Sequence, residues 1–304
     1  MTVRDALRQT EQRLKAARVR FHEVDARLLL AHCLGTTMSR LPTRFADPID
    51  PALLEMLDAL VTRRAAREPL AYILGEAEFM SLRFRCDSRV LTPRPDTEIL
   101  VESVIETVRA RFGVPGGAGV TLADIGTGSG CIAIALAHAL PAADVVATDL
   151  SADALELARE NAALNGLDSR ITFLYGPDLD PLVDAGVADR VRVVVSNPPY
   201  IPARDFAILE PEVVEHEPHL ALYGGEDGLD GHRRILGGLP DLPNVEIVAF
   251  EFGFEQEGPL GALFRVSLLD WDVSIREDLA GFPRALVATK TCGNGQGDAS
   301  RRAE

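Results

Sequence analysis

Residues 122–137 read LADIGTGSGCIAIALA and join a short apolar run, a glycine-rich turn and an apolar helical run. The turn consists of Gly126, Thr127, Gly128, Ser129 and Gly130. Glycine permits positive φ and a close approach of the backbone to a ligand, and the free N–H groups of a helix start attract polar or anionic groups. The stretch therefore predicts a strand, a ligand-binding turn and a helix.

Helical and strand patterns alternate on both sides of this stretch. Helical patterns occupy residues 96–112, a segment from about 131, and 151–166, while strand patterns occupy 120–124, 144–149, 170–175, 191–197 and 245–252, with a final pair near 266–275 and 283–290. Such alternation predicts an α/β fold with a mostly parallel sheet covered by helices on both faces.

The first 75 residues are predicted to form a separate structural unit. Their apolar residues recur at helical spacing. Their 12 basic and 9 acidic side chains give a net charge of +3, whereas the rest of the chain has 19 basic and 37 acidic side chains and a net charge of −18. Residues 76–95 are expected to be a hairpin linker because apolar residues alternate from Phe79 to Cys86. The polar, glycine-rich residues 293–304 are expected to be disordered.

Composition excludes several classes of function. The net charge of −15 over 304 residues argues against a broad nucleic-acid face, so no stable nucleic-acid binding is expected. The four cysteines are scattered, and the histidines of HEPH, His216 and His219, lack a third ligand, so no metal site is expected. Without an apolar signal core or an 18-residue apolar run, the protein is predicted to be cytoplasmic and not to contact a membrane.

Two residues near the glycine turn indicate the ligand. Cys131 stands where a dinucleotide fingerprint would have its last glycine, which disfavours a nicotinamide cofactor. Asp149 ends the following strand, where an acidic side chain of such folds accepts hydrogen bonds from ribose hydroxyls. S-adenosylmethionine satisfies both observations, because it contains a ribose and an adenine but no pyrophosphate. A tight turn without a ligand is the structural alternative.

A second motif, SNPPYIP at residues 196–202, follows the strand pattern VRVVV. The prolines end the strand and fix the backbone, so that the Asn197 side-chain oxygen and the Pro198 carbonyl are held as two acceptors beside the glycine turn. A planar amide or amino group offers two N–H donors to match them, and Tyr200 is expected to pack on its flat face. Because an amide nitrogen is a poor nucleophile, such orientation would provide the catalysis.

The residues alone leave other functions open. An adenine amino group presents the same two donors, so a nucleic-acid adenine methyltransferase is the main alternative, although the negative charge argues against it. A non-catalytic binding module of the same fold and a nicotinamide oxidoreductase are further alternatives. A strand-terminating turn would also explain Asn-Pro on structural grounds.

Together with these motifs, further stretches resemble the release-factor glutamine methyltransferases, the HemK/PrmC-like enzymes. They are REPLAYILGEAEF (67–79), VLTPRPDTEILVE (90–102), HEPHLALYGGEDGLDGHRRIL (216–236) and EFGFEQ (251–256). The resemblance implies a helical substrate-recognition domain at 1–75 and a seven-stranded, Rossmann-like methyltransferase domain at 96–292. It implies methyl transfer to the glutamine side chain of the Gly-Gly-Gln motif in class I peptide chain release factors.

The resemblance also implies roles for individual residues. S-adenosylmethionine would be bound by the turn Gly126, Thr127, Gly128, Ser129 and Gly130 together with Asp149, Asp178 and Asn197. The glutamine would be held by Asn197, Pro198, Pro199 and Tyr200, with Asn197, Pro198 and Tyr200 as the catalytic group. The chain departs from the family after its third expected strand, where Asp178 is followed by Leu179 in place of the usual aromatic residue near the adenine.

Overall fold

The structure, a computed structural model, describes residues 1–253, 255–278 and 280–291. The tail at 293–304 that was expected to be disordered lies outside the described residues.

The N-terminal part is helical, with α1 (Val3–Ala16), α2 (His22–Cys33), α3 (Pro51–Ala65) and α4 (Leu70–Leu74). Thr2 and Asp5 form a capping box at the start of α1, and Asp50 caps α3 with Pro51 in its first turn. Apolar side chains of the four helices pack into a core of their own, which includes Leu14, Leu29 and Leu57. These helices therefore bury their apolar faces largely against one another.

A two-stranded antiparallel hairpin follows, formed by β1 (Glu76–Phe79) and β2 (Leu82–Arg85). Phe79 and Phe84 are buried and join the core of the large sheet, with their rings edge to face. The hairpin is thus attached to the second part of the molecule by its aromatic side chains.

The second part contains the remaining elements. They are α5 (Glu98–Phe112), β3 (Thr121–Ile125), α6 (Cys131–Ala139), β4 (Asp144–Asp149), α7 (Ala152–Leu164), β5 (Ile171–Tyr175), α8 (Asp180–Asp184), β6 (Val191–Ser196), α9 (Pro211–His216), α10 (Asp230–Gly238), β7 (Ile247–Glu251), α11 (Glu257–Ser267), β8 (Trp271–Glu277) and β9 (Pro283–Lys290).

Within the described residues, these strands form one seven-stranded sheet in the order β5-β4-β3-β6-β7-β9-β8. The first five strands of that order are parallel, and β9 is antiparallel to both β7 and β8. Apolar side chains form two large cores, one that includes α5 and α6 and one that includes α10 and α11. The predicted parallel α/β fold is confirmed, and the strand order reverses between β3 and β6, where such folds bind ligands.

One expected boundary is wrong. The strand expected near 266–275 begins only at Trp271, because Val266 belongs to α11. The helix was not predicted because Gly258, Pro259 and Gly261 disfavour helix in the sequence. Pro259 is tolerated because it lies in the first helical turn, where its missing N–H breaks no intrahelical bond.

Candidate active site

A cavity of about 390 Å³ opens at the carboxyl ends of β3, β4 and β6. Its walls come from the segment before α5, the turn after β3, the ends of β4 and β5, the residues after β6, and parts of α10 and the loop before it. The lining includes Thr92, Arg94, Thr97, Gly126, Thr127, Gly128, Ser129, Asp149, Asp178, Asn197, Pro198, Pro199, Leu220 and Arg234. The cavity therefore brings the predicted site residues of both motifs together, with the exceptions given below.

The glycine turn after β3 depends on backbone conformations that favour glycine. The φ angles of Gly126, Gly128 and Gly130 are +71°, +56° and +82°. A Cβ atom on Gly130 would lie 3.0 Å from Ile134 Cδ1 and 3.1 Å from Ala158 Cβ, whereas none of the described residues comes within 4 Å of the Cβ positions on Gly126 and Gly128. Gly130 thus packs the turn onto the helices and is not among the residues that line the cavity, whereas the other two glycines line it and leave open space.

A buried carboxylate that sequence reasoning missed anchors this turn. Asp124 Oδ2 accepts hydrogen bonds from Thr127 Oγ1 (2.6 Å) and from the Ala133 N–H (3.1 Å). Burial raises the pKa of Asp124 to about 7 despite these bonds. The side chain fixes the turn to the start of α6, and the signal in the sequence was an acidic residue inside an apolar strand.

Asp149 ends β4 and faces the same turn. Its Oδ2 atom accepts a hydrogen bond from the Gly128 N–H and its Oδ1 atom one from the Ser151 N–H, both at 2.8 Å. Burial raises the pKa of Asp149, while these backbone donors oppose the increase. A carboxylate can accept about four hydrogen bonds, so Asp149 retains capacity for ligand hydroxyls.

Asn161 on α7 stabilises the glycine turn by a hydrogen bond, a role that was not predicted from the sequence. Its Nδ2 atom donates to the Ser129 carbonyl (2.9 Å) and the Arg85 carbonyl (3.2 Å), and its Oδ1 atom accepts from the Arg85 N–H (2.7 Å). This fully buried amide joins the hairpin to the glycine turn. A single asparagine in a helical pattern gives no sequence signal for such a role.

Asp178 follows β5 and lines the cavity, with a φ of +46° and an ion pair to Arg234 at 3.0 Å. Leu179 is absent from the described lining, because its side chain is buried in the core, where it contacts Gly238. The side chain that replaces the usual aromatic residue therefore packs inward, and the polar pair of Asp178 and Arg234 borders the cavity.

The NPPY motif follows β6 directly. Asn197, Pro198 and Pro199 line the cavity, whereas Tyr200 is not among the lining residues. Asn197 Nδ2 donates to Thr97 Oγ1 at 3.3 Å, which leaves its Oδ1 atom available. The Tyr200 hydroxyl instead donates to Glu251 Oε1 at 3.3 Å behind the cavity wall.

Glycines of the GGEDGLDG loop, residues 224–231, fit closely against this motif. A Cβ atom on Gly224 would lie 2.6 Å from the Pro199 carbonyl oxygen, and one on Gly231 would lie 2.9 Å from Pro198 Cβ. Gln256 Nε2 also donates to the Tyr200 carbonyl at 2.9 Å. This segment, whose last two residues begin α10, thus holds the backbone of the motif in place.

The segment TPRPDTE, residues 92–98, forms the opposite wall. Arg94 pairs with the buried Glu217 at 2.6 Å, and the Thr92 N–H donates to the same carboxylate at 3.3 Å. Burial raises the pKa of Glu217, and the positive charge of Arg94 opposes the increase. The acidic residue of HEPH therefore joins this motif to TPRPDTE. Among the described residues, no group of three or more potential ligands is arranged to hold a metal ion.

Comparisons with known proteins agree with this architecture. Residues 5–75 match the family described as PrmC N-terminal domain, and residues 97–220 match that described as Methyltransferase small domain. The release factor glutamine methyltransferase of Deinococcus radiodurans is 40% identical over 294 residues, which cover 96% of this chain and 100% of the relative. The enzyme of the same name from Geobacter sulfurreducens is 42% identical over 271 residues, covering 88% and 90%.

Among solved structures, the N-terminal domain of human METTL16 in complex with SAH has a TM-score of 0.52 at 20% identity and covers 76% of this chain and 84% of that chain. This likeness concerns the fold. The sheet order and the cavity at its carboxyl edge are those of a methyltransferase that uses an S-adenosylmethionine-type methyl donor. The chain belongs to the family of release factor glutamine methyltransferases. No helix within the described residues has the length and apolar character needed to span a membrane.

Proposed function

We propose that this protein transfers a methyl group from S-adenosylmethionine to the side-chain nitrogen of the glutamine in the Gly-Gly-Gln motif of class I release factors. The observation that carries the proposal is that one cavity contains both the glycine turn with Asp149 and the acceptors of Asn197 and Pro198. A donor and an acceptor substrate bound to these two groups would be neighbours.

The residues of the cavity fit the proposed cofactor. The open space at Gly126 and Gly128 lets a ligand lie on the backbone, and the remaining lone pairs of Asp149 suit ribose hydroxyls. We propose that Thr127 and Ser129 complete this wall, with Asp178 and Asn197 at its borders, and that Gly130 contributes to cofactor binding by holding the turn against the helices. When bound, S-adenosylmethionine supplies an electrophilic methyl group attached to a sulfonium.

The chain's own contribution to the reaction is orientation. The glutamine nitrogen shares its lone pair with the carbonyl and is a weak nucleophile. The Asn197 Oδ1 atom and the Pro198 carbonyl can each accept one of its two N–H groups and so aim the nitrogen at the methyl donor. The nitrogen would form a bond to the methyl carbon as the methyl–sulfur bond of the donor breaks, with the electron pair of that bond left on sulfur, and one proton would pass from the nitrogen to solvent. Pro199 keeps the backbone of these acceptors rigid.

Tyr200 was expected to pack on the flat face of the amide, and this role stays a prediction. Its ring lies against Gly253, where a Cβ atom would be 3.0 Å from Tyr200 Cδ2, and its hydroxyl contacts Glu251. These contacts favour a role in holding the NPPY backbone.

We further propose that residues 1–75 recognise the protein substrate, that residues 76–95 link them to the catalytic domain, and that this domain spans 96–292. Arg64 on α3 supports a defined arrangement, because it pairs with Glu212 on α9 at 2.8 Å, close in sequence to the NPPY motif. A release factor could then contact the helices while its glutamine enters the cavity.

The adenine methyltransferase alternative is disfavoured because residues 76–304 carry 19 basic and 37 acidic side chains, which would repel nucleic-acid phosphates. A non-catalytic module would not need the cavity to hold both the turn and the two acceptors. A cytoplasmic location stays a prediction.

Mass spectrometry of a class I release factor incubated with the full chain and S-adenosylmethionine tests the proposal. We expect one added methyl group on the glutamine of Gly-Gly-Gln and none on a release factor whose glutamine is replaced by alanine. Methylation of DNA or RNA adenine with an unmodified release factor would show that the alternative is right, and no turnover on either substrate would favour the binding module.

A further inference from the structure

Three polar side chains form a group next to NPPY, with Thr97 at the edge of the cavity and Glu251 and Tyr200 behind its wall. Thr97, just before α5, and Glu251, at the end of β7, are each 2% exposed, and the hydroxyl of Tyr200 points toward the same carboxylate. Asn197 reaches this group through its hydrogen bond to Thr97 Oγ1. None of these contacts is suggested by the sequence, because the partners are roughly fifty to a hundred residues apart along the chain.

The direction of the hydrogen bonds in this group follows from elementary chemistry. An ionised carboxylate only accepts, so Tyr200 donates its hydroxyl proton to Glu251. The Thr97 hydroxyl lowers the pKa of Glu251, as a donor to the same carboxylate would. Because the Thr97 hydroxyl hydrogen is already donated, Thr97 Oγ1 can only accept a hydrogen bond from Asn197. The Asn197 amide must therefore place its NH₂ group toward Thr97 and its Oδ1 atom toward the cavity.

We propose that Thr97 and Glu251 are positioning residues that determine which end of the Asn197 amide faces the substrate glutamine. The inference rests on the proposed function, in which the substrate is a glutamine side-chain amide. If Asn197 were rotated to direct its NH₂ group into the cavity, two N–H donors would face the two N–H donors of the glutamine. Neither residue need touch the substrate. Thr97 acts through Asn197, and Glu251 acts through Thr97 and Tyr200.

The surroundings of Glu251 make this orientation sensitive to pH. Burial raises the pKa of Glu251 to about 7, and its Oε2 atom has no hydrogen-bond partner among the described residues. His232 Nε2 contacts its backbone oxygen at 2.9 Å. The titratable and charged groups that face it are Asp96, Cys131, Tyr200, His232 and Arg284.

Below that pKa the carboxyl group becomes a donor at one oxygen and no longer draws both hydroxyl protons. The Thr97 hydroxyl can then donate to Asn197 Oδ1, which would direct the Asn197 NH₂ group toward the substrate. We expect the single-turnover rate at saturating cofactor to rise with pH through about 7. Asp124 titrates in the same range, so the Glu251→Gln variant is needed to assign the effect.

The first test compares Thr97→Val with Thr97→Ser in the full chain. Valine keeps the shape and removes the hydroxyl, and Thr97 makes no side-chain cap to α5 that would be lost. We expect kcat to fall about 10- to 100-fold in Thr97→Val and to recover in Thr97→Ser, with little change in KM for the release factor or in cofactor affinity. Ser103→Ala, which removes a buried hydroxyl within α5, serves as the control and should keep the parent kcat.

A double-mutant cycle gives the decisive readout. In an Asn197→Ala background, Thr97→Val should cause no further loss of kcat, because its only route to the substrate has been removed. Equal losses in both backgrounds, or a Thr97→Val variant with the parent kcat, would overturn the inference for Thr97. A parent protein that fails to methylate the glutamine overturns the proposed function instead, so the two failures are distinguishable.

Glu251→Gln tests the second residue independently of whether Thr97→Val folds. Its amide cannot ionise and always retains a donor, so we expect a low rate without the rise near pH 7 that the parent shows. A parent rate that is flat through this range, or a rise that persists in Glu251→Gln, would overturn the role of Glu251.

Discussion

The Oδ2 atom of Asp149 accepts a hydrogen bond of 2.8 Å from the backbone N–H of Gly128, so the residue that ends β4 also holds the glycine turn that follows β3. The proposed acceptor for the ribose, Asp149, and the glycine turn proposed to bind the cofactor through its backbone are therefore directly hydrogen-bonded to each other. A change in Asp149 should affect both at once.

Asp149→Ala should weaken S-adenosylmethionine binding by about 1–3 kcal/mol, because ligand hydroxyls lose a charged acceptor. Isothermal titration calorimetry measures the change. Asp144→Ala at the exposed start of the same strand is the matched control, since Asp144 forms its ion pair on the surface, with Arg190 at 3.2 Å, and its replacement should leave affinity unaltered. Equal affinity in the parent and in Asp149→Ala would contradict the cofactor site.

Gly130→Ala should destabilise the protein by about 2–4 kcal/mol. The φ of +82° is costly for alanine, and the new Cβ would press on Ile134 and Ala158. Gly237→Ala is the control, because Gly237 is an exposed position of α10 with nothing within 4 Å of its Cβ in the described residues and should gain about 0.5–1 kcal/mol. Urea denaturation measures both, and a Gly130→Ala variant as stable as the parent would exclude this packing.

Arg64→Ala should cost about 3–5 kcal/mol in the free energy of unfolding. The Arg64 side chain is 8% exposed and pairs with Asp25 at 2.7 Å and Glu212 at 2.8 Å. Its removal leaves the buried carboxylate of Asp25 without its cation, whereas Glu212 keeps its ion pair with Arg67. Arg13→Ala removes an exposed pair with Asp58 and should cost no more than about 1 kcal/mol. Similar losses in the two variants would show that the Arg64 network adds nothing beyond a surface pair.

Local sequence patterns predicted the fold well where they are repetitive. Alternating strand and helix patterns gave the parallel sheet, and the cavity contains both the glycine turn and most of NPPY because parallel strands end at one edge of the sheet. The helix α11 was missed because glycine and proline at its start outweigh its apolar spacing.

The supporting residues could not be predicted for a different reason. Asn161 and Glu251 each lie in a regular element, and their roles depend on partners brought together only by the tertiary fold. Tyr200 illustrates the same limit, since a motif places its backbone beside the cavity but does not determine where its ring points.

Asn197→Ala should lower single-turnover methylation of a release factor about 10²- to 10³-fold, or roughly 3–4 kcal/mol, because the glutamine nitrogen loses one of two orienting acceptors. Cofactor affinity should change much less. Asn244→Ala is the matched control, because its amide donates to the Asp189 carbonyl at 2.8 Å on the protein surface. An Asn197→Ala variant that reacts at the parent rate is incompatible with the proposed mechanism.

Asp124→Asn should change how stability depends on pH. The pKa of Asp124 is raised from 3.8 to about 7 in the folded protein, so the folded state binds a proton that the unfolded chain has released between these values. This contribution to stability is full below about pH 4 and is lost as pH rises through about 7. Asparagine does not titrate, so the unfolding free energy of the parent relative to Asp124→Asn should fall by about 2 kcal/mol from about pH 5.5 to about pH 8. Urea denaturation of both proteins at the two pH values measures this difference, in which the titration of other groups cancels. A constant difference would mean that Asp124 is ionised in the folded protein across this range.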